Sequence, residues 1–285
     1  MIRILLGIIM IAAALSCHNI ALDQKLPSVP KDTVATMQFY GDSRENPDMY
    51  AGLLQIGFAH YPKGPVIHLG DMISSPRHPE EYKPFQVLST QYTRPNDFYI
   101  TIGNHDVDDE ESLTLLTRVF TDVGAQGYYG KKIGNCYCIF LNSEDQSAGG
   151  NRLGPDQRAW LLEQLNSEAS KSSKYRIIMI HRPLFPQNQH KDEPLLDNEE
   201  LHALFLEHKV NLVVAGHEHT YSHIVKDGLD YLVTGGGGSP LFTGGGQASF
   251  FHYMQMFEMN NELKFYAIDI LGRTKDEFSV DLGSK

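Results

Sequence analysis

Five short apolar runs in this chain each stop abruptly in a small set of polar side chains. They are Tyr40-Gly41-Asp42, Leu69-Gly70-Asp71, Gly103-Asn104-His105-Asp106, Ile180-His181 and Gly216-His217-Glu218-His219. Four of them carry glycine where a chain leaving a strand must turn tightly. Ligand sites in α/β folds gather outside the carboxyl ends of strands, so these five loops are expected to converge on one edge of the fold. Taken singly, each is weak. A Gly-Asp pair is most often a turn, Asn104-His105-Asp106 also reads as a helix cap, and His181 also reads as a satisfied core histidine. Taken in order, each at a strand end, the set is specific. Its donors are carboxylate, imidazole and amide, without thiolate, which suits two hydrolytic divalent ions of the Mn, Fe or Zn kind. His217 and His219, two apart on an extended chain, are expected to project to one side about 6–7 Å apart. One segment would then serve both members of a metal pair about 3.5–4 Å apart.

The periodicity around these loops predicts the architecture. Strands at Thr36 to Tyr40, Val66 to Leu69 and Phe98 to Ile102 alternate with helices at Ala51 to His60 and Glu80 to Gln91, a βαβαβ pattern. Tyr128 to Ile133 and Cys136 to Leu141 read as an antiparallel pair. Pro155 opens a helix to Glu168 that carries Trp160, Leu161, Leu162 and Leu165. Strand Arg176 to Ile180, helix Asn198 to His208 and strand Asn211 to Val214 follow. Four strands close the chain: Tyr221 to Val225, Leu229 to Val233, Tyr253 to Met259 and Leu263 to Ile270. These proportions predict two packed sheets with helices outside. Residues 34–285 read as one domain.

The N-terminus reads differently. Met1-Ile2-Arg3 and the apolar run Ile4 to Leu15 form an export signal, too short to span a bilayer. Ala14-Leu15-Ser16-Cys17 resembles a bacterial lipoprotein signal, with Cys17 acylated; plain cleavage and an uncleaved anchor are the alternatives. Residues 1–17 are then the signal and 18–33 a tether, placing the protein in the cell envelope or periplasm. Membrane contact is expected only through that anchor or signal. Cys136 and Cys138 face the same side of a strand and read as buried free thiols. With 24 basic and 35 acidic residues, a formal charge of -11 repels nucleic-acid phosphates, so any phosphate handled must be held by a local positive site.

With these motifs the sequence resembles the calcineurin-like metallophosphoesterases, leaning toward the purple acid phosphatases, from about Thr36 to Ile270. Gly154-Pro155-Asp156-Gln157, His181-Arg182-Pro183-Leu184-Phe185 and Tyr231 to Pro240 extend the likeness. The resemblance implies a four-layer αββα sandwich of mixed sheets and hydrolysis of phosphate esters. It implies Asp71 bridging two metals, Asp42 and His219 completing the first site, and Asn104, His181 and His217 completing the second. A metal-bridging hydroxide would attack phosphorus, His105 would protonate or steady the leaving oxygen, and Asp106 would orient that imidazole.

Two positions depart from the family pattern. Arg44 stands where many members have histidine, and Ser74 where the purple enzymes have tyrosine. Arg44 is either a phosphate clamp, the favoured reading, or a cation that has displaced a metal. As a clamp its fixed charge favours monoester dianions. The competing function is an envelope binding protein that kept the sandwich and one metal but lost turnover. Gly235 to Gly238 are expected to form a flexible loop near the site, with a phosphate nest as the alternative, and His190 a surface residue, with reach to the substrate from the His181 loop as the alternative.

Overall fold

The computed structural model describes residues 28–30, 33, 35–61, 64–94, 96–259 and 261–281. The export signal with Cys17 and most of the tether lie outside the described residues.

Strands β1 (Ala35–Tyr40), β2 (Val66–His68) and β3 (Phe98–Ile100) pair in parallel. Between them run α1 (Pro47–His60) and α2 (Tyr82–Thr90). α1 starts four residues earlier than its apolar pattern, because the Asn46 side chain accepts from Met49 N and Pro47 sits in the first turn. After β3 comes α3 (Glu110–Val119), a helix the periodicity did not reveal. Its signal was a capping box. Asp109 accepts from Ser112 N at 2.7 Å, and Ser112 Oγ accepts from Asp109 N at 3.0 Å.

The second sheet starts with β4 (Tyr129–Ile133) and β5 (Cys136–Phe140), an antiparallel pair as expected. Helix α4 (Pro155–Asn166) and the short α5 (Glu168–Lys171) lead to β6 (Tyr175–Met179). Helix α6 (Asn198–Glu207) leads to β7 (Leu212–Ala215), then the hairpin of β8 (Tyr221–Lys226) and β9 (Leu229–Thr234). The chain returns to the first sheet with β10 (His252–Glu258), β11 (Glu262–Asp269) and β12 (Thr274–Asp281). β12 was also missed. It is an edge strand whose charged residues mask the alternation and guard the open edge.

Two mixed six-stranded sheets result, ordered β12-β11-β10-β1-β2-β3 and β4-β5-β6-β7-β9-β8. Their facing sides form one core, with Met37, Phe39, Phe140, Met179, Val214 and Phe265 among its residues. Cys136 and Cys138 point into it as free, buried thiols. Helices cover the outer faces, with Leu53 and Leu116 packing on the first sheet and Leu161 and Phe205 on the second. This is the four-layer αββα sandwich, and burial on both faces explains why its central strands read as continuous apolar runs. The carboxyl ends of β1, β2 and β3 and of β6 and β7 carry the five loops.

Candidate metal centre

The loop after β1 carries Asp42, the loop after β2 carries Asp71, and the loop after β7 carries His219. Candidate ligand atoms of these three buried side chains all lie within 4.8 Å of one another. Asp42, Asp71 and His217 hold φ of 56°, 57° and 69°, a region disfavoured for side chains with a Cβ. Such strain persists only where surrounding bonds enforce it. Here Asp42 N donates to Gly70 O at 3.1 Å, and His217 N donates to Asp42 Oδ2 at 2.9 Å.

A second group adjoins the first. His181 Nε2 lies 3.4 Å from Asp71 Oδ1 and 3.1 Å from Asn104 Oδ1. The His217 ring stands edge-on to His181, with centroids 5.0 Å apart. His217 Nε2 faces Arg182 Nη1 at 3.2 Å. Arg182 is held in turn by a fork to Glu144, at 2.7 and 3.1 Å.

The tautomers show what the two groups accept. His181 Nδ1 lies 2.7 Å from Leu69 O, and His219 Nδ1 lies 2.7 Å from Pro240 O. A carbonyl only accepts, so each Nδ1 carries the proton and each Nε2 presents a lone pair. Those lone pairs face the oxygens of Asp71, Asn104 and Asp42, with acceptor toward acceptor. Burial holds His181, His217 and His219 below the usual histidine pKa and hence neutral. Burial and the nearby Asp71 push Asp42 well up. Burial also opposes ionisation of Asp71, but His181, His105 and Arg44 outweigh it and hold its pKa down. Neutral imidazoles whose Nε2 lone pairs face close carboxylates fit divalent cations.

Three expectations are corrected. The 216–220 loop is not extended: Glu218 N donates to Gly216 O and Thr220 N to Glu218 O, a tight double bend. His217 consequently turns to His181, and His219 to Asp42. Asp106 does not orient the His105 ring. Its carboxylate accepts backbone N–H groups from Asp71, Met72 and Gly103, each at 2.8 Å, and so ties the loops after β2 and β3 together. The His105 ring is held instead by the Ser74 carbonyl, 2.9 Å from Nδ1. The segment from Gly235 to Gly238 is a packed bracket rather than a flexible loop. Gly237 N donates to Gly41 O at 2.8 Å, and a Cβ on Gly237 would lie 2.3 Å from that oxygen.

Arg44 reaches into the centre, with Nε 3.3 Å from Asp71 Oδ2 and its other end on Glu45. Ser74 is turned away to Glu81, donating through N and Oγ at 2.7 and 2.9 Å. His190 lies at the centre rather than apart on the surface. Its ring stacks on His217 with centroids 4.2 Å apart, and its Nδ1 meets Glu193 at 3.2 Å. Buried Glu218 holds that loop by accepting from Gln187 N, Asn188 N and His190 N. No local pattern in the sequence signals this, because the contact depends on how the two loops fold back on each other.

The family model for calcineurin-like phosphoesterases matches residues 48–221, more than half of the chain. The chain belongs to the calcineurin-like phosphoesterase family. It is 25% identical over 146 residues to the serine/threonine-protein phosphatase CPPED1 of Danio rerio, covering 49% of this chain and 47% of that protein. It is 24% identical over 226 residues to purple acid phosphatase 5 of Arabidopsis thaliana, covering 75% of this chain and 51% of that protein. The chain thus spans about half the length of these curated relatives. Its fold is shared with the purple acid phosphatase PPD1 of yellow lupin (Lupinus luteus) at a TM-score of 0.71 and 15% identity, covering 90% of this chain and 55% of that one.

Proposed function

We propose that this protein is an exported, metal-dependent phosphoesterase that hydrolyses phosphate esters and favours monoesters. The observation that carries this reading is the set of Nε2 lone pairs on His181 and His219 aimed at the oxygens of Asp42, Asp71 and Asn104, an arrangement that suits cations held between them. Asp42, Asp71 and His219 would hold one divalent ion, and Asp71, Asn104, His181 and His217 the other. Mn, Fe and Zn all suit this donor set. Bound there, the pair would supply Lewis acidity toward the phosphoryl oxygens and a hydroxide nucleophile at neutral pH.

The chain's own groups carry the rest. His105 donates through Nδ1 to Ser74 O, which leaves Nε2 for the leaving oxygen, able to give it a proton when the ring is the imidazolium. His190 is partly exposed and braced by Glu193, and stands ready as a second proton source across the site. Asp106 is a positioning residue that keeps the Asp71 and Asn104 loops in register. Arg44 stands beside Asp71 as a fixed positive charge for a phosphoryl oxygen. Export rests on the N-terminal signal pattern, with Cys17 as the proposed lipid anchor.

A second reading has a specific observation behind it: the Arg44–Asp71 contact also suits a guanidinium that replaces one ion, leaving a single-metal binding protein. Hydrolysis of a chromogenic monoester by Mn-loaded protein separates the two. We expect turnover, and expect Asn104→Ala and His217→Ala each to lower it by at least about tenfold with unchanged circular dichroism. Wild-type turnover in either folded variant would remove that residue from the site. No turnover in the loaded parent would favour the binding reading.

A further inference from the structure

Beside the metal centre lies a cavity of about 520 Å³, within the range of small-molecule sites. Arg44, from the loop after β1, and Ser74, from the loop after β2, both line it. Arg44 touches Asp71, and the Ser74 carbonyl holds His105. The cavity thus adjoins the cation placed for a phosphoryl oxygen, and it shares Ser74 with the imidazole placed for the leaving oxygen. Its walls include Met72, Pro84, Phe85 and Leu88. Its carboxylates are Glu45, Glu80 and Glu81, and Arg44 is the one cation among the lining residues. As the cation placed for the phosphoryl oxygen, with Nε on Asp71 and its other end on Glu45, Arg44 is committed to the phosphate rather than to the alcohol part of the ester. A second cavity, of about 380 Å³, has no Lys, Arg or His among its lining residues, and neither cavity is lined by a candidate ligand.

We propose that the cavity beside Arg44 seats the alcohol part of the ester, and that it selects apolar alcohols that are neutral or cationic over those carrying a carboxylate. The proposal rests on the phosphoesterase reading above and adds the substrate class. An aromatic or aliphatic group gains contact with Phe85, Leu88 and Met72. An ammonium gains Glu45 and Glu80 at the rim. A carboxylate meets like charges with no free donor among the lining side chains.

The test uses three monoesters of one ring size: phenyl phosphate, 4-(aminomethyl)phenyl phosphate and 4-carboxyphenyl phosphate, each with the metal-loaded full chain. The carboxylate ester should show kcat/KM at least about tenfold below the other two, mostly through KM. Replacing both Glu45→Gln and Glu80→Gln should narrow that gap. Leu88→Trp, which fills the cavity, should raise KM for 1-naphthyl phosphate by about tenfold or more with unchanged circular dichroism. Equal KM values for the three esters, or a folded Leu88→Trp with unchanged KM, overturn the proposal while leaving the phosphoesterase reading intact. If no ester is hydrolysed, that reading fails by itself, and calorimetry with benzylphosphonate and 4-carboxybenzylphosphonate decides the cavity. Tighter binding of the uncharged ring supports it, and equal binding overturns it.

Discussion

Arg44 is the residue on which the proposed monoester preference turns. Two divalent ions with Asp42, Asp71 and one hydroxide leave about one net positive charge, and a guanidinium raises that to about two. A monoester dianion matches that charge and can accept a forked pair of hydrogen bonds, whereas a diester monoanion offers less. The contact of Arg44 Nε with Asp71 Oδ2, 3.3 Å, puts this charge beside the carboxylate proposed to be shared by the two ions. Arg44→His should add a fourth protein ligand at the first site, tighten metal retention and shift activity toward diesters. Arg44→Ala should weaken monoester turnover without improving retention. Metal counting by mass spectrometry alongside both assays checks this. A monoester-to-diester ratio unchanged in both variants removes Arg44 from substrate recognition.

At the scale of the elements, the site is made by loops that pack backbone against backbone. Gly103, at the end of β3, shows the tolerance. A Cβ there would lie 2.3 Å from Asp71 Oδ1, 2.4 Å from Asp71 N and 2.9 Å from His181 Cε1. Asp106 holds Asp71 N, His105 N holds Asp71 Oδ1 and Leu69 O holds the His181 ring, so these atoms cannot yield cheaply. Gly103→Ala should cost about 1–3 kcal/mol in urea denaturation and weaken metal binding more than any exposed-helix substitution does. Unchanged metal titration and an unchanged midpoint would show that the two loops can part freely. Positive φ at Asp42, Asp71 and His217 belongs to the same design, since local strain is held by hydrogen bonds from other loops.

Over the whole molecule, acid should loosen the sandwich through histidines buried without charge. Burial drives His68 down to about 3 and His252 down to about 4. His252 is wholly buried, between Thr234 Oγ1 and Phe250 O. A histidine depressed in the folded state leaves stability intact above its unfolded pKa of 6.5 and removes it as pH falls toward the folded value. The slope is roughly 1.4 kcal/mol per pH unit for each group across that window. Asp42 and Asp106, raised by burial, act in the opposite direction. The comparison therefore has to be with a variant. In metal-free protein, His252→Gln should gain stability relative to wild type as pH falls from 6.5 to 4. A constant difference in urea midpoint over that range would falsify the assignment.

The amino-acid sequence by itself determined the elements and the chemistry of the donors. Apolar runs that end in glycine and an acid or imidazole specify strand ends. Carboxylate, imidazole and amide without thiolate specify hard or borderline cations, and Cys136 and Cys138 two apart specify one strand face. Such signals are local, written within a few residues. Helix α3 and strand β12 were hidden because capping and edge charge replaced apolar periodicity. Only the tertiary structure decided which side chains meet. His217 N bonds Asp42 across 175 residues, and His181 bonds Leu69 across 112. It gave Asp106 to the backbone rather than to His105, turned His217 and His219 apart, brought His190 over His217, and set Arg44 against Asp71. Each of these depends on sheet order and loop curvature, and neither quantity is encoded in the spacing of neighbouring residues.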